Sequence, residues 1–386
     1  MATDNKNKVL NVPNLRFPEF KEVWKDSNIG RCFDLYSGNT PSRMEKEHFI
    51  GDVNWITSGE LKEHYIGDTK ERISEKAAAD NNLRILPIGT FVMAIYGLEA
   101  EGVRGTCSIT VKTSTISQAC MAFTPKSNVS NEFLYSWYKK HGNKIGIRYA
   151  QGTKQQNLSY DIIEKFPIIY PSIEEQEKLN TFISLLDERI ATQNKIIEDL
   201  KKLKVAIRDK AIALGIKKSV FKTLDSIADI YQPQTIPTSL LSEDAEYFVY
   251  GANGIIGKYT EYNHSEPQIC IACRGNTCGT INFSTAKSWI TGNAMVVNTD
   301  QYSVINKRYL YHYLSTINFN PLISGSGQPQ IVRQPLAKLK IPTPSIEQQV
   351  GIVKVIDSFE LKIEIEKKYL QSLLTQKVYL LSNMFI

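Results

Sequence analysis

No stretch of this 386-residue chain approaches the roughly 18 consecutive apolar side chains that a membrane-spanning helix needs. The opening residues, Met1 to Leu15, contain no apolar core of the kind a secretory leader carries, so the cytoplasm is the expected compartment. Cysteine is scarce: six in the whole chain, too few for a disulfide framework. The five histidines (His48, His64, His141, His264 and His312) form no HExxH and no close pair. Neither sign of charge dominates, with 46 basic and 40 acidic residues and a net charge of +6. With 42% hydrophobic and 22% charged residues, the composition is that of a globular protein and excludes disorder. The length suits about two to three domains.

Catalytic motifs are missing as well. Gly251-Ala-Asn-Gly-Ile-Ile-Gly-Lys-Tyr259 comes near a phosphate loop but has Ala252 in place of a glycine and Tyr259 in place of the hydroxyl that would ligate magnesium. Asn320-Pro-Leu-Ile323 faintly resembles the loop with which amino-methyltransferases grip a flipped adenine, without its second proline or its aromatic. Cys270, Cys273 and Cys278 fall short of the four ligands of a structural zinc site, and Cys270 and Cys273 sit in a β-rich apolar run where buried free thiols are common. No nucleophile elbow is present. The expectation is a protein with neither a catalytic residue nor a metal of its own.

What the chain does contain is a repeat. Pro171-Ser-Ile-Glu-Glu-Gln176 recurs as Pro344-Ser-Ile-Glu-Gln-Gln349, 173 residues later. The same offset aligns Gly152 with Gly325, Gln155 with Gln328 and Lys204-Val205 with Lys377-Val378. Asp34-Leu-Tyr36 echoes Asp229-Ile-Tyr231, and Phe133-Leu-Tyr135 echoes Tyr309-Leu-Tyr311, at drifting offsets. Two copies of one lobe-plus-helix unit account for this. The expected boundaries are an N-terminal extension (1–26), a first lobe (27–171), a first spacer helix (172–214), a second lobe (215–344) and a second spacer helix (345–386).

After each repeated motif, alternating steps of four and three visit one stripe. The first runs through Leu179, Ile183, Leu186, Ile190, Gln193, Ile197, Leu200, Lys204, Ile207, Ala211 and Leu214. The second runs through Ile352, Ile356, Phe359, Ile363, Glu366, Leu370, Leu373, Lys377, Leu380 and Met384. A 3.5-residue period held this long is the pattern of a coiled coil, and two matched copies favour mutual pairing over two separate core-facing helices. Ser172 and Ser345 are the expected N-caps, with Glu175 and Gln348 completing capping boxes. The polar breaks at Gln193, Glu366, Lys204 and Lys377 repeat in register. They either fix the pairing or mark a wet edge. About 36 helical residues make a rod of roughly 54 Å.

The long helices are nearly neutral, with eight acids and eight bases in residues 172–214 and five of each in 345–386. The excess charge lies in the lobes: 22 bases against 19 acids over 1–171, and 11 against 8 over 215–344. Both read as mixed α/β, with β-rich runs at 89–96, 269–273 and 294–298. The short aromatic helices at 132–138 and 308–314 are spaced for core packing. An amide-rich and basic loop precedes each long helix: Gly152-Thr-Lys154-Gln155-Gln156-Asn157-Leu158, and Gly325-Ser-Gly-Gln328-Pro-Gln330-Ile-Val-Arg333. Amide side chains match the major-groove edge of adenine, and Arg or Lys matches guanine. Tyr96 with Arg104, and Arg274 with Asn276 and Thr277, form a second candidate pair. Each of these segments also reads as a solvated turn; their repetition at matched positions favours binding to double-stranded DNA.

The order lobe, helix, lobe, helix, with Pro-Ser-Ile-Glu-Glu/Gln-Gln opening each helix, resembles the specificity (S) subunit of type I restriction-modification systems. Pro13-Asn-Leu-Arg-Phe-Pro-Glu-Phe-Lys-Glu-Val-Trp24 and Trp55-Ile-Thr-Ser-Gly-Glu-Leu61 resemble segments of the first lobe in that family. The resemblance implies a mixed α/β (α+β) fold with a pseudo-twofold internal repeat. In it two target recognition domains are separated by two long helices that pair as an antiparallel coiled coil and set the spacing between half-sites. It implies a non-catalytic chain that recruits two methyltransferase (M) subunits using S-adenosylmethionine and restriction (R) subunits using ATP and Mg²⁺, with no membrane partner. The lobes differ in their loops, so they would read different half-sites. Two rival readings are a DNA adenine methyltransferase fused to its own recognition lobes and a coiled-coil scaffold that binds only protein.

Overall fold

The structure, a computed structural model, describes residues 11–98, 103–152, 156–217, 219–325 and 328–386. Among them are two continuous helices of 44 and 39 residues, Ile173–Ile216 and Ile346–Met384. The chain divides into two compact units. Unit 1 holds the described residues up to Thr192 together with Tyr369–Ile386, and unit 2 holds Gln193–Lys368. Each long helix is therefore shared between the units.

In unit 1 a five-stranded sheet has the order Phe33–Ser37, Cys120–Pro125, Phe91–Ala94, Cys107–Thr110, Tyr65–Ile66. Phe91–Ala94 and Cys107–Thr110 are buried along their whole length, because the helix Asn131–Tyr149 and the neighbouring apolar clusters cover both faces. Unit 2 has a four-stranded sheet in the order Asp229–Tyr231, Ala294–Asn298, Ile269–Ala272, Ile281–Phe283. The echo between Asp34-Leu35-Tyr36 and Asp229-Ile230-Tyr231 corresponds to structure, since each lies in an edge strand antiparallel to its neighbour. A two-stranded ribbon closes each lobe, Lys25–Asn28 with Pro167–Tyr170 and Val220–Thr223 with Lys340–Thr343. Both ribbons deliver the chain directly into the repeated Pro-Ser-Ile-Glu motif.

The last residue of that motif fastens helix to lobe. Gln176 is fully buried; its Nε2 donates to the carbonyls of Asn128 (2.7 Å) and Pro171 (3.1 Å), and its Oε1 accepts from the Ser130 backbone N–H (2.9 Å). Gln349 repeats this with the carbonyls of Val304 (3.1 Å) and Pro344 (2.8 Å) and the Asn306 N–H (2.7 Å). Ser130 and Asn306 are the N-caps of the aromatic helices Asn131–Tyr149 and Lys307–Leu314. One side chain thus joins the end of the ribbon to the start of a core helix.

The two capping boxes differ. At the second, Ser345 Oγ accepts from Gln348 N–H and Gln348 Oε1 accepts from Ser345 N–H, both at 3.3 Å, as expected. At the first, Ser172 receives the Glu175 N–H, but the Glu175 carboxylate is turned to Arg16, which donates to it from Nε and Nη2 at 2.7 Å each. Glu175 is almost wholly buried, so the reciprocal half of the box gives way to a stronger charge-assisted fork.

The stripe of fours and threes is the buried one. Leu179, Ile183, Leu186, Ile197, Ile356, Ile363 and Leu373 are buried, and Ile190, Leu200, Ile207, Ile352, Phe359, Leu370 and Leu380 are half-buried. In unit 2, Gln193 Nε2 donates to Glu366, Lys204 pairs with Glu360 at 3.2 Å, and Gly215 lies against Ile352. Partner numbers fall along one helix as they rise along the other, so the pairing is antiparallel. In unit 1, Lys377 pairs with Asp187. The 173-residue offset turns Lys204 into Lys377 and Asp187 into Glu360, so the two ion pairs are one contact made twice. The polar breaks fix a register. The stripe departs from the expected heptad at one end: Leu214 is 59% exposed while Ile212 is buried, because a straight helix drifts from a strict 3.5 repeat.

In unit 2, Arg308 bonds Asp357 (2.6 Å) and Glu360 (2.7 Å), and the His312 Nε2–H donates to Asp357 at 3.1 Å. Burial holds the His312 and His264 imidazoles below their ordinary value of 6.5. Burial also opposes ionisation of Asp357, but the bonds from Arg308 and His312 outweigh it and keep that carboxyl below its usual range.

Replacing Gln176 or Gln349 by Leu removes three hydrogen bonds, one of them to a buried proline carbonyl, and is expected to cost about 1–3 kcal/mol in either unit, read as a lowered thermal midpoint. Unfolded histidines take up protons near pH 6.5 while His264 and His312 resist, so folding binds fewer protons and stability falls as pH drops below 6.5. Thermal unfolding between pH 7.5 and 5.5 should show this slope, and His312→Gln should flatten it.

Candidate DNA-reading junctions

The amide-rich loops and the second candidate pairs, far apart in sequence, meet in each unit. In unit 1, Gln151 and Asn157 exchange backbone hydrogen bonds (2.9 and 2.8 Å), pinching the loop between them. Asn157 also bridges Tyr96, Leu158 N–H donates to Ile95 O (2.9 Å), and Leu98 N–H donates to Gln156 O (3.0 Å). In unit 2, Ser324 and Gln330 exchange the same two bonds (2.9 and 2.8 Å), and Gln330 bridges Arg274. Ile331 N–H donates to Cys273 O (3.0 Å) and Gly275 N–H to Pro329 O (2.9 Å). Asn157 and Gln330 are 173 residues apart, as are Gln151 and Ser324. One backbone junction is built twice and carries different side chains.

Glycines make the junction possible. Gly97 and Gly275, each following the bridged residue, have φ of +76° and +81°; Gly152 and Gly325, inside the pinched loops, have φ of +120° and +91°. Such angles are costly for residues with a Cβ. The Gly97–Gly275 pair was not singled out from the sequence. The signal was present, since Tyr96-Gly97 and Arg274-Gly275 stand 178 residues apart, but it emerges only once the strands that carry them are aligned.

The side chains fall into two groups. Arg274, Asn276, Gln328 and Gln330 are exposed, and none makes a side-chain hydrogen bond among the described residues. Tyr96, Gln156, Asn157 and Thr277 are half-buried, and the Asn157 Oδ1 is buried without a partner among the described residues. Arg104 and Arg333 are braced: Arg104 Nε donates to Leu98 O and Arg333 Nε to Ile230 O, both at 2.8 Å. Arg104 also packs along Gly146 and reaches Gln156 Oε1 at 3.5 Å, so it supports the loop rather than standing free beside it. Lys154 and Gln155 lie outside the described residues.

The phosphate-loop-like, cysteine and Asn-Pro motifs are built into the framework. Gly251 and Gly254 close a β-hairpin, Tyr247–Gly251 with Gly254–Tyr259, and no helix follows to present a phosphate loop. Cys270 and Cys273 belong to different apolar clusters on opposite faces of their strand, so their thiols diverge. Burial pushes the Cys270 thiol up to about 12. Asn320–Leu322 is a single 3₁₀ turn. No helix among the described residues is long and apolar enough to cross a membrane.

A family model described as "Type I restriction modification DNA specificity domain" matches twice, over residues 21–202 and 216–375. The chain belongs to this family. Each copy of the type I specificity domain holds one junction and most of one long helix. The type I restriction enzyme MjaIX specificity subunit of Methanocaldococcus jannaschii is 31% identical over 192 residues, 49% of this chain and 43% of that protein, so the match spans less than half of that relative. The EcoprrI specificity subunit of Escherichia coli is 24% identical over 363 residues, 86% of each chain. The crystal structure of a type I restriction-modification S subunit from M. genitalium superposes with a TM-score of 0.59 at 18% identity, covering 97% of this chain and 99% of that one. At that identity the likeness is one of fold.

Nothing among the described residues lies within 4 Å of a Cβ placed on Gly97 or Gly275, so the expected cost of alanine there is backbone strain. Gly275→Ala in this type I specificity chain is expected to lose about 1–2 kcal/mol, with Gly275→Asn recovering part of it, as measured by thermal unfolding.

Proposed function

We propose that this chain is the DNA-specificity subunit of a cytoplasmic type I restriction-modification complex, each unit reading one half of a bipartite site in double-stranded DNA. The observation that carries this reading is the junction built twice on one backbone plan with different side chains. In unit 2, Arg274 and Gln330 are adjacent across a bridge and exposed, and their side chains have no hydrogen-bond partner among the described residues. A guanidinium matches O6 and N7 of guanine, and a carboxamide matches N6 and N7 of adenine. In unit 1 the corresponding positions are Tyr96 and Asn157, so the half-sites differ. The paired helices set the gap between half-sites and recruit two methyltransferase subunits and the restriction subunits. Those partners would supply the S-adenosylmethionine, ATP and Mg²⁺ chemistry, while this chain binds and orients the DNA.

Co-expression with its methyltransferase subunit, followed by sequencing for methylated adenine, should return two short motifs separated by a fixed gap. A stable complex that leaves the DNA unmethylated would overturn the reading in favour of a protein scaffold. Arg274→Ala and Gln330→Ala should each relax one position of one half-site, with a loss of about 1–3 kcal/mol per pairing, and leave the other half-site and the gap unchanged. A heptad inserted into one long helix should alter the gap or abolish methylation while each half-site preference persists.

A further inference from the structure

From Phe133 to Tyr160, 28 consecutive residues include no Asp or Glu but carry Lys139, Lys140, His141, Lys144, Arg148 and Lys154. Most of this stretch is the helix Asn131–Tyr149, which ends two residues before the junction begins at Gln151. One face of the helix is committed to the lobe: a Cβ on Gly142 would come within 2.7 Å of Gly105, and one on Gly146 within 3.1 Å of Arg104. Lys139 lies over the Tyr135 ring, and Lys140 donates to the carbonyls of Ser382 (2.9 Å) and Phe385 (2.6 Å). Lys144 and Arg148 remain. They are exposed, four residues apart and therefore neighbours on the helix surface, and neither pairs with a carboxylate among the described residues. The Arg148 guanidinium is held over the Tyr149 ring at 5.4 Å.

The equivalent helix of unit 2 is arranged differently. Lys307–Leu314 has 8 residues against 19, and both of its cations are neutralised. Lys307 pairs with Asp300, and Arg308 with Asp357 and Glu360. Two unpaired cations standing one turn apart suit a polyanion with closely and regularly spaced charges, and the helix that bears them feeds straight into the reading loop. Counterion release gives each such contact a measurable share of affinity.

We infer that Lys144 and Arg148 form a phosphate grip beside the unit 1 junction that the corresponding helix of unit 2 lacks, so that this helix face holds the DNA backbone without reading bases. The inference rests on the DNA-specificity reading above.

The test uses the full chain assembled with its methyltransferase subunits and a duplex carrying the motif found by methylation sequencing. Affinity is measured across a salt series. The double variant Lys144→Ala, Arg148→Ala should weaken binding and reduce the slope of log K against log salt by about 1.8, roughly 0.9 per phosphate contact, while the methylated motif stays the same. Both changes are to a strong helix former on an exposed face, so the fold should persist. An unchanged slope would overturn the inference. So would an equal drop from Lys46→Ala, Lys76→Ala, two exposed cations elsewhere on unit 1, since the effect would then follow net charge rather than this face. If the unsubstituted complex methylates no motif, the DNA reading itself fails, and this inference fails with it.

Discussion

Two buried glutamines hold the architecture together. A carboxamide offers an acceptor and two donor hydrogens in one plane, and Gln176 and Gln349 use both ends. Each satisfies the carbonyl that ends the ribbon, a carbonyl in the preceding loop, and the N–H of the residue that caps the core helix. The proline carbonyls are buried and costly to leave unpaired, so these bonds favour one path for the long helix out of its lobe. Leu or Met could fill the space but would make none of these three bonds; Glu would replace the donating end with a second acceptor facing two carbonyls.

Helix pairing builds on that anchor. Burial of the apolar stripe supplies the non-directional attraction, while the polar positions choose among registers. Because Asp187 and Glu360 are equivalent, and Lys204 and Lys377 are equivalent, a single complementary pattern in the repeated unit yields both ion pairs. Gln193 and Glu366 are equivalent to each other and meet directly. A slip by one heptad would separate every one of these partners. The first capping box shows how local rules give way: Glu175 had a satisfactory partner in its own helix terminus, yet Arg16 offered a bidentate, buried alternative. Nothing in the spacing of Ser172 and Glu175 could reveal an arginine 159 residues away.

The candidate site was legible in part. The loops before each long helix and the segments around Tyr96 and Arg274 stand out by composition, and their duplication is visible at the 173-residue offset for the loops. Their union is not visible, because it depends on backbone bonds between strand ends and loop residues more than 50 positions apart. Nor does composition separate a presented cation from a braced one. Arg274 and Arg104 look alike in the sequence; one stands exposed and the other donates to the Leu98 carbonyl. The same holds for Lys307 and Arg308 against Lys144 and Arg148, where carboxylates brought in by the fold decide which charges remain available.

The sequence by itself determined the repeat, the two long helices, their shared stripe with its polar breaks, and the mixed α/β character of the lobes. These follow from short-range periodicity and from self-comparison, which need no knowledge of what lies across the fold. Tertiary structure alone decided which side chains meet. It decided that Gln176 and Gln349 are clamps, that Arg16 takes Glu175 from its cap, that Leu214 rather than Ile212 faces outward, and that two remote segments form one junction in each unit. Those outcomes depend on long-range hydrogen bonding and charge pairing, and such contacts leave no local period in a single sequence.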